Sequence, residues 1–358
     1  MQKAESQMLD IGCSIRRPSL TTCSLWLFFY LCRRIMNVSE EIRAKMNALG
    51  KQGETFVFLI DFEGDSAFIF SPDAVSEVLW KANDRSNFVK KNVDKKLGKW
   101  EISPPSFEQY KQGFDLIFER IHAGDTYLLN YTRPTGIETN LSLSDIFHLS
   151  SARYKILFRD EFVCFSPETF VRIENGKIAS FPMKGTIDAA IENAKEKLLN
   201  DPKELAEHNT IVDLIRNDLS VVAENVTVEK FRYLERIKTS QRDLWQVSSK
   251  ITGDLSKNYT EKIGDIIFSM LPAGSVSGAP KKKTVEIIKA AEKYDRGFYT
   301  GIFGYFDGKN LDCCVLIRFI ENKNGQLVYK SGGGITFMSE AEKEYEELLK
   351  KVYIPVKD

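Results

Sequence analysis

The sequence lacks an excess of charge of either sign. Its 358 residues carry 50 Lys and Arg against 50 Asp and Glu. Because a broad basic surface is what attracts nucleic acid or an acidic membrane, this balance argues against both partners. The run from Lys281 to Lys283 falls in a helical pattern, so we interpret it as a solvated helix face. The composition is typical of a soluble globular protein.

The sequence also lacks the motifs of common nucleotide sites and of a disulfide framework. No GxxxxGK[ST] is present, and no GxGxxG follows a strand pattern. The six cysteines, at positions 13, 23, 32, 164, 313 and 314, show no CxxC spacing. Cys313 and Cys314 are neighbours in a strand pattern, so they point to opposite faces and cannot form an ordinary bridge. These features predict a reduced, cytoplasmic protein.

An apolar run long enough to cross a membrane is missing as well. Residues 20–35 (LTTCSLWLFFYLCRRI) have an apolar centre that is short and interrupted, and no small-residue cleavage site follows it. We expect residues 1–35 to be a non-native or disordered extension, with a genuine anchor or a docked arm as alternatives. Met36 opens a pattern typical of soluble proteins. We predict a single domain over residues 36–358.

The sequence contains several signals for β-hairpins. Asn175-Gly176, Asp307-Gly308 and Asn324-Gly325 each separate two strand-like runs. Such pairs suit the tight turns that join antiparallel strands, because a type I′ turn needs positive φ at both central residues. The pattern therefore predicts antiparallel sheets rather than parallel β-α-β winding.

Helix signals surround these strands. Apolar residues at helical spacing predict a helix over residues 106–122. Asp201-Pro202 and Ala279-Pro280 look like the starts of two more helices. Ser339 and Glu342 have the spacing of a capping box and predict a fourth helix. The fold class expected from these elements is α+β, with helices outside the sheets.

The last helix carries an unusual stack of acids. Glu340, Glu344 and Glu347 lie at i, i+4 and i+7 on one face, where like charges repel weakly. A solvated acidic face is one interpretation. A site for a hard cation such as Mg²⁺ is the other, with Glu207 of the Asp201 helix as a further ligand. His208 beside it is interpreted as a core or surface residue.

Two glycine-rich segments predict places for an anion. KSGGGITF contains Gly332 to Gly334, and PAGSVSGAPKKKT contains Gly274 to Gly278. Each is predicted to run into a helix start, where backbone N–H groups attract negative charge. Arg318 adds a cation inside an apolar strand pattern. These features favour a small ligand with more than one carboxylate, although a tight bend would explain a lone glycine triplet.

Glu168 and Lys184 lie at either end of one predicted hairpin, in SPETF and PMKGT. The simplest explanation is a salt bridge at a sheet edge. The alternative is that the hairpin aims a carboxyl acid and a nucleophilic amine at one bound ligand. A lysine can act as a nucleophile only if its surroundings favour the neutral amine.

Taken together, the motifs resemble the chorismate-using enzymes, a family that includes anthranilate, isochorismate, salicylate and aminodeoxychorismate synthases. The resemblance covers roughly residues 106–355 and depends on an ordered set of segments. These segments are GDTYLLN, SPETF, PMKGT, AEHNTIVDLIRNDLS, LPAGSVSGAPKKKTVEII, RGFYTGIFGYF, IRF, SGGGIT and EYEELLKK. The family fold implied is two large antiparallel β-sheets packed together with helices outside. The long N-terminal half common in the family is shortened here.

The resemblance also implies roles for individual residues. Chorismate, a dicarboxylate, is bound in the family through Mg²⁺, which here implies Glu207, Glu344 and Glu347 as metal carboxylates. The chorismate carboxylates would be held by Arg318, Tyr299 and the backbone at Gly333 and Gly334. The remaining residues implied for the same pocket are Ser277, Gly278, Ala279 and Lys281.

Lys184 narrows the resemblance to one group. A lysine in PxKGT resembles aminodeoxychorismate synthase component I, whereas anthranilate and isochorismate synthases usually have a small residue there. The implied reaction is amination of chorismate at C4 through a lysine adduct at C2, with Glu168 as the acid. Ammonia would come from a separate glutaminase subunit (component II), and the product would feed para-aminobenzoate and folate synthesis.

Two positions depart from the family pattern. Leu128 stands where many members have glutamine or lysine, and a lysine there would activate water in isochorismate and salicylate synthases. Gln246 takes the place of a frequent histidine. Two alternative functions remain: anthranilate synthase component I, and a non-catalytic chorismate-binding partner subunit.

Overall fold

The structure is a computed structural model, and it describes residues 39–93, 98–238 and 243–356. The expectation for residues 1–35 lies outside the described residues and stays a prediction. None of the helices in the described ranges is long and apolar enough to cross a membrane.

Two antiparallel sheets dominate the described residues, and each has nine strands. Sheet A contains β1 (Phe56–Ile60), β2 (Ala67–Phe70), β9 (Thr169–Glu174), β10 (Lys177–Ser180), β11 (Met183–Asp188), β12 (Glu224–Lys238), β13 (Asp243–Asp254), β15 (Ile302–Phe306) and β16 (Leu311–Val315). Sheet B contains β3 (Val78–Ala82), β4 (Arg85–Ser86), β5 (Trp100–Ser103), β6 (Leu128–Thr139), β7 (Tyr154–Phe158), β8 (Phe162–Cys164), β14 (Gly278–Ala279), β17 (Phe319–Lys323) and β18 (Gln326–Thr336). The predicted fold class, two packed antiparallel sheets with helices, is confirmed.

The strand order shows how distant parts of the chain meet. Sheet A runs β11-β13-β10-β9-β16-β15-β1-β2, with β12 paired to β13. Sheet B runs β14-β6-β18-β17-β8-β7-β3-β4, with β5 paired to β6. The hairpins at Asn175-Gly176 and Asn324-Gly325 have positive φ at both turn residues, as predicted. At Asp307-Gly308, only Gly308 has positive φ.

The helices are α1 (39–52 in the described range), α2 (Phe107–His122), α3 (Leu143–Leu149), α4 (Ala194–Asn200), α5 (Pro202–Ser220), α6 (Ile263–Ser269), α7 (Lys281–Glu292) and α8 (Ala341–Lys350). Two 3₁₀ turns cover Tyr259–Lys262 and Gly274–Val276. The predicted helix start at Ser106 is confirmed, with a capping box between Ser106 and Gln109. Asp201 caps α5 as predicted, since its side chain accepts from the Glu204 N–H.

Alternating side chains of the central strands fill two cores. Val57 and Leu59 of β1 pack between the sheets, whereas Phe56 and Phe58 pack under the helices that cover sheet A. Full burial of such side chains contributes about 1.5–3 kcal/mol each. Cys313 and Cys314 divide between these two cores in the same way, which confirms that they point to opposite faces.

Candidate active site

The candidate site is built where the chain passes from one sheet to the other. β8 ends in sheet B and β9 begins in sheet A, so Glu168 lies on the first crossing. β16 ends in sheet A and β17 begins in sheet B, so Arg318 lies on the second. The crossings are joined by backbone hydrogen bonds, from Phe165 N to Arg318 O (3.1 Å) and from Val315 N to Glu168 O (3.2 Å).

Arg318 was predicted inside a strand, and this placement was wrong. The residue follows β16 in the crossing, with φ of 56°. Because the chain leaves the sheet here, the guanidinium is not trapped in an apolar layer. Its Nη1 donates to the carbonyl oxygen of Lys351 (2.8 Å), and the guanidinium lies 4.7 Å from the Tyr353 ring centroid.

A cavity of about 300 Å³ opens at these crossings. Its wall brings together seven of the residues predicted from the sequence, namely Glu168, Lys184, Tyr299, Arg318, Gly333, Gly334 and Glu347. These residues come from distant parts of the chain, so their convergence supports one ligand site. The acid and the amine at the two ends of the Glu168–Lys184 hairpin face the same space.

Lys184 is aimed by an irregularity in β11. The register between β11 and β13 shifts between Lys184 and Thr186, which indicates a bulge. Gly185 between them has φ of +71°, and a Cβ there would lie 2.9 Å from side-chain atoms of Leu198 and Glu204. Only glycine fits this bend without strain.

We call the surroundings of this amine the lysine side of the cavity: Lys184, Glu207, Leu128 and Gly334. Lys184 Nζ lies 3.4 Å from Glu207 Oε2, and these side chains are 25% and 9% exposed. A Cβ on Gly334 would lie 3.2 Å from both Lys184 Nζ and Leu128 Cδ1. The amine is therefore held between one carboxylate and an apolar side chain.

Glu168 has a different partner. Ser275 Oγ donates a hydrogen bond to Glu168 Oε1, so the simple salt bridge between Glu168 and Lys184 is replaced by two separate pairs. Burial raises the pKa of the Glu168 carboxyl, while the Ser275 hydrogen bond and the charges of Lys184 and Lys351 oppose the rise. A raised pKa is what a carboxyl needs to hold a proton for donation near neutral pH.

The opposite wall is formed by α8, which begins differently from the prediction. Glu340, not Ser339, is the N-cap residue, so the predicted capping box was wrong. Ser339 Oγ donates instead to Glu344 Oε1 (2.7 Å) and holds this buried carboxylate in place. Glu340 is exposed and pairs with Lys343, so it does not join the other two glutamates.

We call the second group the carboxylate side: Glu344, Glu347, Lys351 and Gly333. A Cβ on Gly333 would lie 3.5 Å from Glu344 Oε2 and 3.7 Å from Glu347 Oε1. Two carboxylate oxygens thus approach one point that a glycine leaves open. Lys351 Nζ lies 3.8 Å from the same point, 2.7 Å from Glu347 Oε1 and 2.7 Å from Gly332 O.

The carboxylate side fits a hard divalent cation in part. Two carboxylates that converge beside backbone oxygens are the kind of donor set that Mg²⁺ accepts together with water and substrate oxygens. Glu207 is instead the ion-pair partner of Lys184. Within the described residues, no three His, Cys, Asp or Glu side chains form a ready metal cluster.

The glycine triplet does not precede a helix, so this prediction was wrong. Gly332 to Gly334 lie within β18 and pair with Thr132, Tyr131 and Asn130 of β6. The pairing of β18 with β17 stops at Lys330. In the described ranges, the other edge of the triplet therefore has no strand partner, and its backbone groups face the cavity.

The second glycine-rich segment runs into a helix start as predicted, since Gly274 lies in a 3₁₀ turn, Gly278 lies in β14 and α7 begins at Lys281. The start of α7 does not line this cavity, however, and Pro280 lines a neighbouring pocket instead. Ser275 and Val276 are the members of this segment that line the cavity wall. The four residues implied by resemblance, Ser277, Gly278, Ala279 and Lys281, lie off this wall.

Each of these four residues has another place. Ser277 Oγ donates to Ala273 O (2.8 Å), and Gly278 pairs with Leu129 in sheet B. Lys281 Nζ lies 2.7 Å from Asp218 Oδ1 and donates to Met270 O (2.7 Å).

Ala279 lines a neighbouring pocket of about 620 Å³, whose wall also includes Glu207. Glu207 therefore lies between the two spaces, since it also contacts Lys184 of the smaller cavity.

Sequence patterns missed several residues that line the cavity wall, among them Asn130, Ser275, Tyr329 and Lys351. Gln246, noted above as a departure from the family pattern, lies on the same wall. The i, i+4 spacing of Glu347 and Lys351 was the one available signal for the second lysine. His208 is buried against Ser249 Oγ (2.7 Å), and burial lowers its pKa to about 4.

The family model described as chorismate binding enzyme matches residues 42–357. The chain belongs to this family. A PabA-like protein of Pasteurella multocida, itself uncharacterized, is 49% identical over 313 residues, which are 87% of this chain and 97% of that protein. Aminodeoxychorismate synthase component 1 of Escherichia coli is 33% identical over 261 residues, 68% of this chain and 56% of that protein.

A solved structure shares the fold of this chorismate-binding chain. It is the isochorismate synthase DhbC of Bacillus anthracis, with a TM-score of 0.65 and 21% identity, over 88% of this chain and 87% of that one. The family assignment makes chorismate the expected occupant of the cavity between the lysine side and the carboxylate side.

Proposed function

We propose that this chain is component I of an aminodeoxychorismate synthase, which aminates chorismate at C4 to give 4-amino-4-deoxychorismate. The observation that carries the proposal is the presence of Lys184 Nζ and the Glu168 carboxyl on one cavity wall. A family member that only bound chorismate would not need an amine and a proton donor on the same wall.

The reaction balances with these two groups. The neutral amine of Lys184 adds to C2 of chorismate, both ring double bonds shift, and the C4–O bond breaks. Glu168 gives its proton to the departing hydroxyl, which leaves as water. Ammonia then adds at C4, both double bonds shift back, and the C2–N bond to Lys184 breaks. Glu168 takes a proton from the new ammonium group and returns to its starting state.

One contact and one pKa shift bear on the proton transfers of this sequence. Glu207 Oε2 lies 3.4 Å from Lys184 Nζ, within reach of the proton that the lysine loses before it attacks. Burial raises the pKa of Glu168, which favours the protonated acid.

The chorismate carboxylates have candidate partners along the opposite wall. Arg318 and Lys351 supply positive charge, Tyr299 supplies a hydroxyl, and the open edge at Gly333 and Gly334 supplies backbone groups. The two carboxylates of the ligand would be held apart by these groups, which would direct its ring toward Lys184.

We further propose that Mg²⁺ is held by Glu344 and Glu347 on the carboxylate side, with Glu207 as an additional ligand when Lys184 releases it. When bound, the metal supplies positive charge that neutralises a substrate carboxylate. Ammonia would be delivered by a glutaminase subunit, component II. We place the protein in the cytoplasm, in para-aminobenzoate and folate synthesis.

The test is incubation of the purified chain with chorismate, Mg²⁺ and ammonium, followed by chromatographic separation of products. We expect 4-amino-4-deoxychorismate without release of pyruvate. Anthranilate synthase component 1 is also among the names of the relatives, and that activity would release pyruvate and give anthranilate. Binding of chorismate without any product would favour a non-catalytic partner subunit instead.

A further inference from the structure

A fully buried ion pair lies directly behind the cavity. Arg296 Nη2 is 2.6 Å from Glu292 Oε1, and Arg296 Nε is 2.9 Å from Glu292 Oε2. The pair is bidentate, and the two side chains are 2% and 1% exposed. Neither residue lines the cavity, and the proposed reaction uses neither.

Arg296 also donates hydrogen bonds to three separate segments of the chain. Its Nη1 donates to Val276 O (2.8 Å) and to Thr300 Oγ1 (3.2 Å), and its Nη2 donates to Asn130 O (2.7 Å). Asn130 and Val276 line the cavity, and Thr300 directly follows the wall residue Tyr299. One guanidinium therefore ties together three parts of the wall, two through backbone carbonyls and one through the Thr300 hydroxyl.

The same pair is anchored from its other side. Glu292 Oε1 accepts from the backbone N–H of Thr132 (2.8 Å) and from its hydroxyl (2.8 Å). Lys330 Nζ donates to Arg296 O (2.8 Å) and lies 3.2 Å from Glu321 Oε1. These bonds fix Arg296 relative to both β6 and β18, the strands that carry Asn130 and the glycine triplet.

Stability alone is a weak reason for such a pair. A buried ion pair loses its hydration, and replacing both partners by apolar groups of similar volume is often neutral for stability. What an apolar replacement cannot supply is the set of directed bonds to the Asn130 and Val276 carbonyls. These bonds fix distances across the cavity wall, and small displacements of a binding wall have large effects on ligand affinity and rate.

We infer that Arg296, held by Glu292, is a positioning residue that sets the shape of the chorismate cavity through its bonds to Asn130, Val276 and Thr300. The inference depends on chorismate binding, not on the amination proposed above. Its failure can therefore be distinguished from failure of that proposal.

The test compares three variants by calorimetric titration with chorismate and by thermal unfolding. Arg296→Met leaves Glu292 buried without its partner. The double variant Glu292→Gln/Arg296→Met removes both charges, and Arg296→Lys keeps the charge but loses the planar fork. We expect all three to raise the Kd for chorismate by about tenfold or more, whereas the double variant should recover much of the Tm lost in Arg296→Met.

A matched control distinguishes a change in the geometry of the cavity wall from a general loss of stability. Leu143→Ala removes side-chain volume from the core around α3 at a residue that does not line the chorismate cavity, and it should lower the Tm without changing the Kd. If the double variant or Arg296→Lys binds chorismate with the Kd of the unchanged protein, the inference is overturned. Should Arg296→Met fail to fold, the other two variants still decide the question. A chain that binds chorismate without aminating it would contradict the proposed function and leave this inference intact.

Discussion

The lysine side and the carboxylate side of the cavity each contain a lysine, a carboxylate and a glycine, and they differ in how the lysine is held. Lys184 has one ionic contact, to Glu207 at 3.4 Å, and an apolar neighbour in Leu128. Lys351 is closer to its carboxylate, at 2.7 Å, and also donates to the carbonyl of Gly332. Lys351 is therefore held by two polar contacts within the described residues, and Lys184 by one. This difference leads us to expect a binding role for Lys351 and the nucleophilic role for Lys184.

Truncation of each lysine in turn is expected to give the largest effects and tests whether the two lysines have different roles. We expect Lys184→Ala to lower the rate of amination by more than about ten-thousandfold, as loss of a nucleophile does in other enzymes. Lys351→Ala should mainly raise KM for chorismate, by about tenfold, because it removes a binding charge. Product formation at saturating chorismate, measured by chromatography, distinguishes the two effects.

Calorimetric titration of Lys184→Ala with chorismate supplies the control, since this variant should still bind. Equal losses of kcat in both variants would show that the two lysines do not have separate roles.

Substitution of Glu168 tests whether this carboxyl is the proton donor of the proposed reaction. Glu168→Gln keeps the hydrogen bond from Ser275 but cannot donate a carboxyl proton, so we expect a loss of about a thousandfold in kcat. Because the proposed reaction needs Glu168 in its protonated form, we expect the rate of the unchanged protein to fall as pH rises through the raised pKa of this carboxyl. The measurement is kcat against pH for both forms. A variant with the same pH profile and rate would exclude Glu168 as the acid.

Substitution of Gly333 and Gly334 by alanine tests the two sides of the cavity with smaller changes. In Gly334→Ala, the new methyl group would lie 3.2 Å from Lys184 Nζ and Leu128 Cδ1, so we expect lower kcat. In Gly333→Ala, the methyl group would enter the point between Glu344 and Glu347 and should raise the Mg²⁺ concentration for half-maximal rate by about tenfold. Titration of both variants with Mg²⁺ separates these effects. If Gly334→Ala alone altered the Mg²⁺ requirement, the proposed metal position would be wrong.

A third lysine, Lys155, has a carbonyl oxygen and an aromatic ring as its neighbours in the described part of the chain, and its pKa shows the effect of burial. Lys155 is buried, donates to Ser150 O (2.8 Å), and lies 4.5 Å from the Phe147 ring centroid. Burial lowers its pKa from the ordinary 10.5 to about 8, and the charges of Lys81 and Lys90 add to the effect. Between these pH values the unfolded chain binds more protons than the folded chain, so this group makes stability rise with pH.

We expect Lys155→Met to remove this dependence and to stabilise the fold at pH 7 by about 3 kcal/mol at most. Urea unfolding at pH 7, 8.5 and 10 measures the difference. Lys111→Met, at an exposed pair with Asp115, serves as the control. A parallel pH dependence in Lys155→Met and the unchanged protein would contradict the assignment.

Local signals predicted much of this fold because they act over a few residues. The turn at Asn175-Gly176 and the cap at Ser106 depend only on neighbouring backbone geometry, and both appear as expected. The capping box predicted at Ser339 was wrong because the Ser339 hydroxyl donates to the buried carboxylate of Glu344, five residues further along the chain. The helix begins one residue later, with Glu340 as its N-cap.

The candidate site was predictable in its residue types and less so in its geometry. Glycine triplets occur at bends, helix starts and open strand edges, and only the pairing with β6 decides among them. The exchange of the chain between sheets also has no local signature, so Arg318 was assigned to a strand. The wall residue Ser275 had no sequence feature that set it apart from Ser277, although only Ser275 reaches Glu168.

The pairing of β1 with β15 has a consequence for how the protein is made. Phe56 lies opposite Phe306 in sheet A, so β1 pairs with a strand about 250 residues further along the chain. On the ribosome, the edge of β1 that pairs with β15 must wait unpaired until those residues have emerged. Contacts between such distant segments slow folding, and a waiting apolar strand is prone to associate with other chains. Production of this protein should therefore depend on translation speed and on chaperones that shield nascent strands.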